Sequence, residues 1–78
     1  MKTMTCRQLG GSCAEAHRGE TADEVIHAHD QHLKDAVAAG DTEHQEAADA
    51  MKARWRNPIK GMGWYTSTKR AFRDQPED

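Results

Sequence analysis

At 78 residues, with eleven basic and thirteen acidic side chains interspersed and a formal net charge of −2, the chain is long enough for one domain and has no basic stripe to lie along phosphates. Nucleic acid is thereby excluded as an expected partner. No apolar run reaches the length of a signal sequence or a membrane span, so the expectation is a cytoplasmic protein without a membrane partner. Leu, Ile and Val occur only twice each and Phe once, well under the ~20% share at which apolar burial alone orders a chain. The compensating resources are two Cys, five His, two Trp, one Tyr and four Met, which point to a metal or a cross-link and to a few large buried side chains.

Residues 2–6, KTMTC, alternate as a strand does, with Met4 and Cys6 on one face. Residues 13–18, CAEAHR, are the expected partner strand, although Ala is a poor strand former. Gly10 and Gly11 between them supply the positive backbone angles of a tight reversal, which gives a hairpin over about 2–18 with the two cysteines flanking its turn. Thr21-Ala22-Asp23-Glu24 is a capping box. It opens a helix over about 22–39 whose inward stripe is Val25, Ile26, His29, His32, Leu33, Ala36 and Val37, and Gly40 ends it. Asp41 or Thr42 caps a second helix to about residue 56, striped by His44, Ala48, Met51 and Trp55 and closed by Asn57-Pro58. Gly61 and Gly63 bracket an expected loop, and a third helix is expected over about 64–74. The fold class that follows is a small α+β domain, a two-stranded hairpin packed on about three helices.

Zinc favours a tetrahedron of thiolate and imidazole, and its binding free energy substitutes for a missing core. Two cysteines in a reducing compartment read as metal ligands, free thiols or a redox pair before they read as a structural disulfide. His29 and His32 stand one helical turn apart on one face, whereas His27 is rotated away and should meet solvent. His44 lies in the first turn of its helix, where the helix dipole disfavours protonation and so suits an imidazole that must be neutral to bind metal. His17 shares a strand face with Cys13, but four strand residues span about 13 Å, too far for one ion. The ranking is Cys6 and Cys13 with His32 and His44 first, His29 next and His17 below. The spacing of the cysteines, with six residues between them, is not the short knuckle of zinc fingers. Each thiol also reads as a small buried hydrophobe, and each inward histidine as a hydrogen-bonded core residue.

The opening MKTMTCRQLGGSC, the helix start GETADEV, His32 and the closing RAFRDQPED resemble the bacterial and archaeal family of predicted small metal-binding proteins, a domain of unknown function. The similarity runs over most of the chain and is most specific at Cys6, Leu9-Gly10, Cys13, Thr21–Glu24 and His32. Many members of that family carry a second histidine about five residues after the one matching His32, where this chain has Val37. A longer branch has a histidine at the position of His44 and a similar Trp-containing tail, which implies the ligand set Cys6, Cys13, His32 and His44.

Met51, Trp55, Met62, Trp64, Tyr65 and Phe72 hold nearly all the large apolar surface of the C-terminal half, and the default expectation is that they form one core cluster. Short helices of this composition cannot enclose every ring, which leaves Trp55, Trp64, Tyr65 and Phe72 as the expected face for a homodimer or protein partner. No nucleophile motif, acid–base carboxylate pair or phosphate-binding glycine loop is present, so no enzymatic activity is expected. The expected function is a small metal-binding protein with a structural or storage site, for which zinc is the default ion and nickel, copper and iron are the alternatives. The alternatives are a thiol–disulfide switch on Cys6 and Cys13 and an interaction module using the Trp/Tyr/Met face.

Overall fold

In the computed structural model, which describes residues 1–78, two short strands and three helices follow one another as a hairpin and then a helical unit. β1 (Lys2–Thr5) pairs antiparallel with β2 (Ala16–Gly19), Met4 opposite His17 and Thr3 opposite Arg18. Alternation then sorts the faces: Met4 and His17 turn inward and are buried, while Arg18 is exposed. Both strands are shorter than the sequence pattern suggested. Cys6 already opens a 3-10 turn (Arg7–Leu9), and β2 begins only at Ala16, so neither cysteine is a strand residue. The cysteines lie instead on a hydrogen-bonded knuckle, with Gly11 N–H donating to the Cys6 carbonyl at 2.8 Å and Arg7 N–H to the Cys13 carbonyl at 2.9 Å. Gly10 takes the left-handed conformation, φ 102°, that this reversal demands.

Helix α1 (Ala22–Ala38) starts where the capping box places it, with Thr21 Oγ1 accepting the Glu24 N–H at 3.2 Å. The Glu24 carboxylate reaches back to the N–H of Glu20 rather than to that of Thr21. Gly40, at φ 88°, ends α1. A 3-10 turn (Thr42–His44) leads into α2 (Gln45–Arg56). Helix α3 runs Pro58–Arg73, six residues earlier than expected. Asn57-Pro58 does end α2, but it also begins α3: the Asn57 side chain caps Lys60 N–H and proline supplies a first-turn residue that needs no donor. Gly61 is therefore not a loop glycine. It lets α3 cross close to the end of α2, since a Cβ there would stand 2.5 Å from the Arg54 carbonyl oxygen.

Two apolar clusters sit toward opposite ends of α1. Met4, Leu9, Ala22, Val25, Ile26 and Phe72 form the first, with Trp64 and Tyr65 packed on its edge. Cys6, Leu33, Ala47, Ala48 and Met51 form the second, with Cys13 and Val37 beside it. The single aromatic–methionine cluster expected of the C-terminal half is thus split. Met51 joins the second core and Phe72 the first, whereas Trp55 is 73% and Met62 68% exposed. Phe72, being buried, is not part of any partner face. Arg54 and not Trp55 turns inward from the last turn of α2, its guanidinium 3.8 Å from the centre of the Trp64 ring and near the buried Asp30, whose charge offsets part of its desolvation. At the C-terminus Asp78 accepts from Thr3 and Arg18, and its N–H donates to the Met1 carbonyl, tying the tail to the outer side of the hairpin. No helix is long and apolar enough to cross a membrane.

Candidate metal centre

Three separate pieces of chain deliver four metal-ligand atoms to one point. The knuckle brings Cys6 and Cys13, α1 brings His32, and the turn before α2 brings His44, and their donor atoms all lie within 4.8 Å of one another. Zinc–sulfur and zinc–nitrogen bonds of ~2.3 and ~2.0 Å make the edges of a zinc tetrahedron about 3.3–3.8 Å long. The Cys13 Sγ to His32 Nε2 separation, 3.3 Å, is already such an edge. The Ser12 hydroxyl donates to the Glu43 carbonyl at 3.2 Å, so the knuckle and the His44 turn are fastened directly to each other.

Each histidine of this quartet is held from behind by a carboxylate. His32 Nδ1 lies 2.6 Å from Glu15 Oε2, and His44 Nδ1 lies 2.8 Å from Asp41 Oδ2. With Nδ1 donating to a carboxylate, Nε2 is left as the lone-pair nitrogen and is aimed away from its carboxylate, the arrangement that backs metal-binding imidazoles. His44 Nε2 is buried and has no hydrogen-bond partner, a cost that an ion would remove. The residues present therefore fit a tetrahedral thiolate–imidazole ion.

The thiols differ. The N–H of Glu15 is the main influence lowering the Cys13 thiol to about 7; burial opposes it, and His44 and His32 add to the lowering. Burial pushes the Cys6 thiol up, with the Cys13 N–H pulling the other way. His44 is raised, first by the Cys13 side chain and then by Asp41, against desolvation. Cys13 and Asp41 thus favour imidazolium at His44 in the metal-free chain, opposite in direction to the effect expected from its place at a helix start.

Gly11 makes the closest approach in the centre. It has no unusual φ, but a Cβ there would fall 2.1 Å from Cys6 Sγ and 3.2 Å from His29 Nε2. Glu15, Asp41 and Gly11 went unrecognised as parts of the centre in the sequence. The one signal the sequence offers is Asp41 three residues before His44, where it caps Glu43 N–H through Oδ1 as well.

His29 stands outside the quartet. It is 1% exposed, neither ring nitrogen has a partner, and burial, with His17 and His32 nearby, lowers its pKa to about 4. His17 is also outside, on β2 and buried, its ring 5.4 Å from that of His32 and 5.6 Å from that of His29. His27 faces solvent as expected.

No protein-family model matches this chain, and neither a curated protein nor a solved structure matches it. What the centre does is accordingly a matter of its residues and their geometry.

Proposed function

We propose that this chain is a small zinc-binding protein whose ion is held by Cys6, Cys13, His32 and His44 and serves a structural or storage role. The observation that carries this is the backed quartet: four soft and borderline donors from three chain segments meet at one point, and both imidazoles are oriented by carboxylates on their far nitrogens. Two thiolates and two neutral imidazoles make a neutral complex with a divalent ion, suited to a buried place. The centre lies against the Cys6–Leu33–Met51 cluster, so the ion would join the hairpin knuckle, α1 and the turn before α2.

The test is native against denatured mass of protein purified without tag or chelator, with metal content, for the wild type, Cys6→Ser and Cys13→Ser. The expected result is one zinc per wild-type chain, lost on denaturation, with metal content and melting temperature falling together in both variants. Unchanged melting and no metal in the wild type would refute the proposal.

A thiol switch is the second reading, favoured by the Cys13 thiol lowered to about 7 beside Cys6. It requires mild peroxide to produce an intramolecular disulfide, a loss of about two daltons that reductant restores. Two free thiols after peroxide would eliminate it.

A further inference from the structure

His32 is engaged on both sides. Its Nε2 faces Cys13 in the quartet, and its Nδ1 faces Glu15, which belongs to a second group of donors: Glu15, His17 and His32, again with ligand atoms all within 4.8 Å of one another. His17 is 7% exposed, and its Nε2 is buried without a hydrogen-bond partner. An imidazole placed inward on a strand, opposite Met4 and among other histidines, forfeits a hydrogen bond that an apolar residue would not need. This face opens on a cleft of about 670 Å³ whose walls also include Gln31 and Asp35, so an ion arriving from solvent reaches these donors without passing through the buried quartet.

We propose a second divalent-metal site on Glu15, His17 and His32, with the imidazole of His32 bridging it to the quartet. The proposal rests on the zinc reading of the first site. The second ion would take Nδ1 of His32 in place of the proton that Nδ1 shares with Glu15, and that proton leaves to solvent. The charges close: two divalent ions bring four positive charges, and the Cys6 and Cys13 thiolates, the Glu15 carboxylate and the His32 imidazolate bring four negative ones. Three protein ligands leave one coordination position for water, so the second ion is open where the first is closed, and exchangeable. Its donors are one carboxylate and two imidazoles, without sulfur, which suits zinc, cobalt(II) or nickel(II).

Stepwise titration of the metal-free chain separates the two sites, zinc being counted by native mass and cobalt(II) followed by absorption. The wild type is expected to take two ions, the second on the order of tenfold more weakly for want of a fourth protein ligand. Only the first equivalent of cobalt should bring the thiolate-to-metal charge-transfer band. His17→Val, a residue strands accept and no member of the quartet, should stop at one ion with that band intact. Glu15→Gln should also stop at one ion, held about 10–100-fold more weakly because Glu15 backs His32 as well. A wild type that saturates at one ion with the band fully developed overturns the second site, as do variants that both still take two. A wild type that takes none overturns both sites. A wild type that takes one ion without the band, lost in His17→Val, would remove the quartet and leave the donors of the second site standing.

Discussion

Gly11→Ala tests the centre without touching a donor. The added Cβ would lie 2.1 Å from Cys6 Sγ, against 3.4 Å for an ordinary contact, so thiol and backbone must part by more than 1 Å. Neither has room. Cys6 is fully buried against Leu33, Ala47, Ala48 and Met51, and Gly11 is pinned by its N–H bond to the Cys6 carbonyl. Overpacking of this kind costs about 1–3 kcal/mol, which in a domain this small lowers the melting temperature by about 5–20 °C. A displacement above 1 Å is also large beside a zinc–sulfur bond of ~2.3 Å, so zinc affinity should fall by more than about 100-fold. The control is Gly10→Ala, where nothing lies within 4 Å of the new Cβ but φ is 102°. Its cost is left-handed strain of about 1–2 kcal/mol, with the donors in place. Thermal melts with and without chelator, and zinc competition against a chromophoric chelator, read both quantities. Wild-type zinc affinity in Gly11→Ala would refute the geometry of the quartet.

Asp41→Asn keeps the shape of the His44 support and removes its charge, and should weaken zinc binding by about 10–100-fold in the same competition assay while leaving the fold intact. The His29 pKa of about 4 lies below its ordinary 6.5, so on acidification the unfolded chain takes up the proton first. Its contribution is therefore present above pH 6.5 and lost as the pH falls toward 4, by up to about 3 kcal/mol. Urea melts of the metal-free protein at pH 7 and pH 5 should show His29→Leu losing less stability than the wild type, and equal losses would contradict the burial of a neutral imidazole. Gly63→Ala, in α3 with ordinary φ and open space at its Cβ, should raise stability by about 1 kcal/mol, or about 4–8 °C in melting temperature.

Local signals in this sequence translated well where the cause was local. The Thr21 cap, the Gly40 stop and the inward placing of His32 beside Leu33 all follow from side chains within a turn or two of one another. The four expected ligands Cys6, Cys13, His32 and His44 do converge, although the knuckle that presents the cysteines was expected to be a strand pair. The sequence is least legible where a residue answers to a distant neighbour. Gly61 looks like a loop glycine, but its reason is the Arg54 carbonyl of another helix. Trp55 has the spacing of a buried residue, yet Arg54 takes the inward place because Trp64 and Asp30 are there to receive it. Glu15 is hidden for the same reason, since it meets His32 only once β2 lies on α1.

The two clusters along α1 divide the chain by how much change each part can absorb. Around Met4, Leu9, Val25 and Phe72 the requirement is volume, which many combinations of apolar side chains satisfy, so that end can drift through compensating swaps. Around Cys6, Leu33 and Met51 the requirement is direction, because the packed residues also fix where donor atoms point, and no swap of equal volume restores a lost angle. Descendants of this chain should therefore diverge fastest in the half that looks most like an ordinary core.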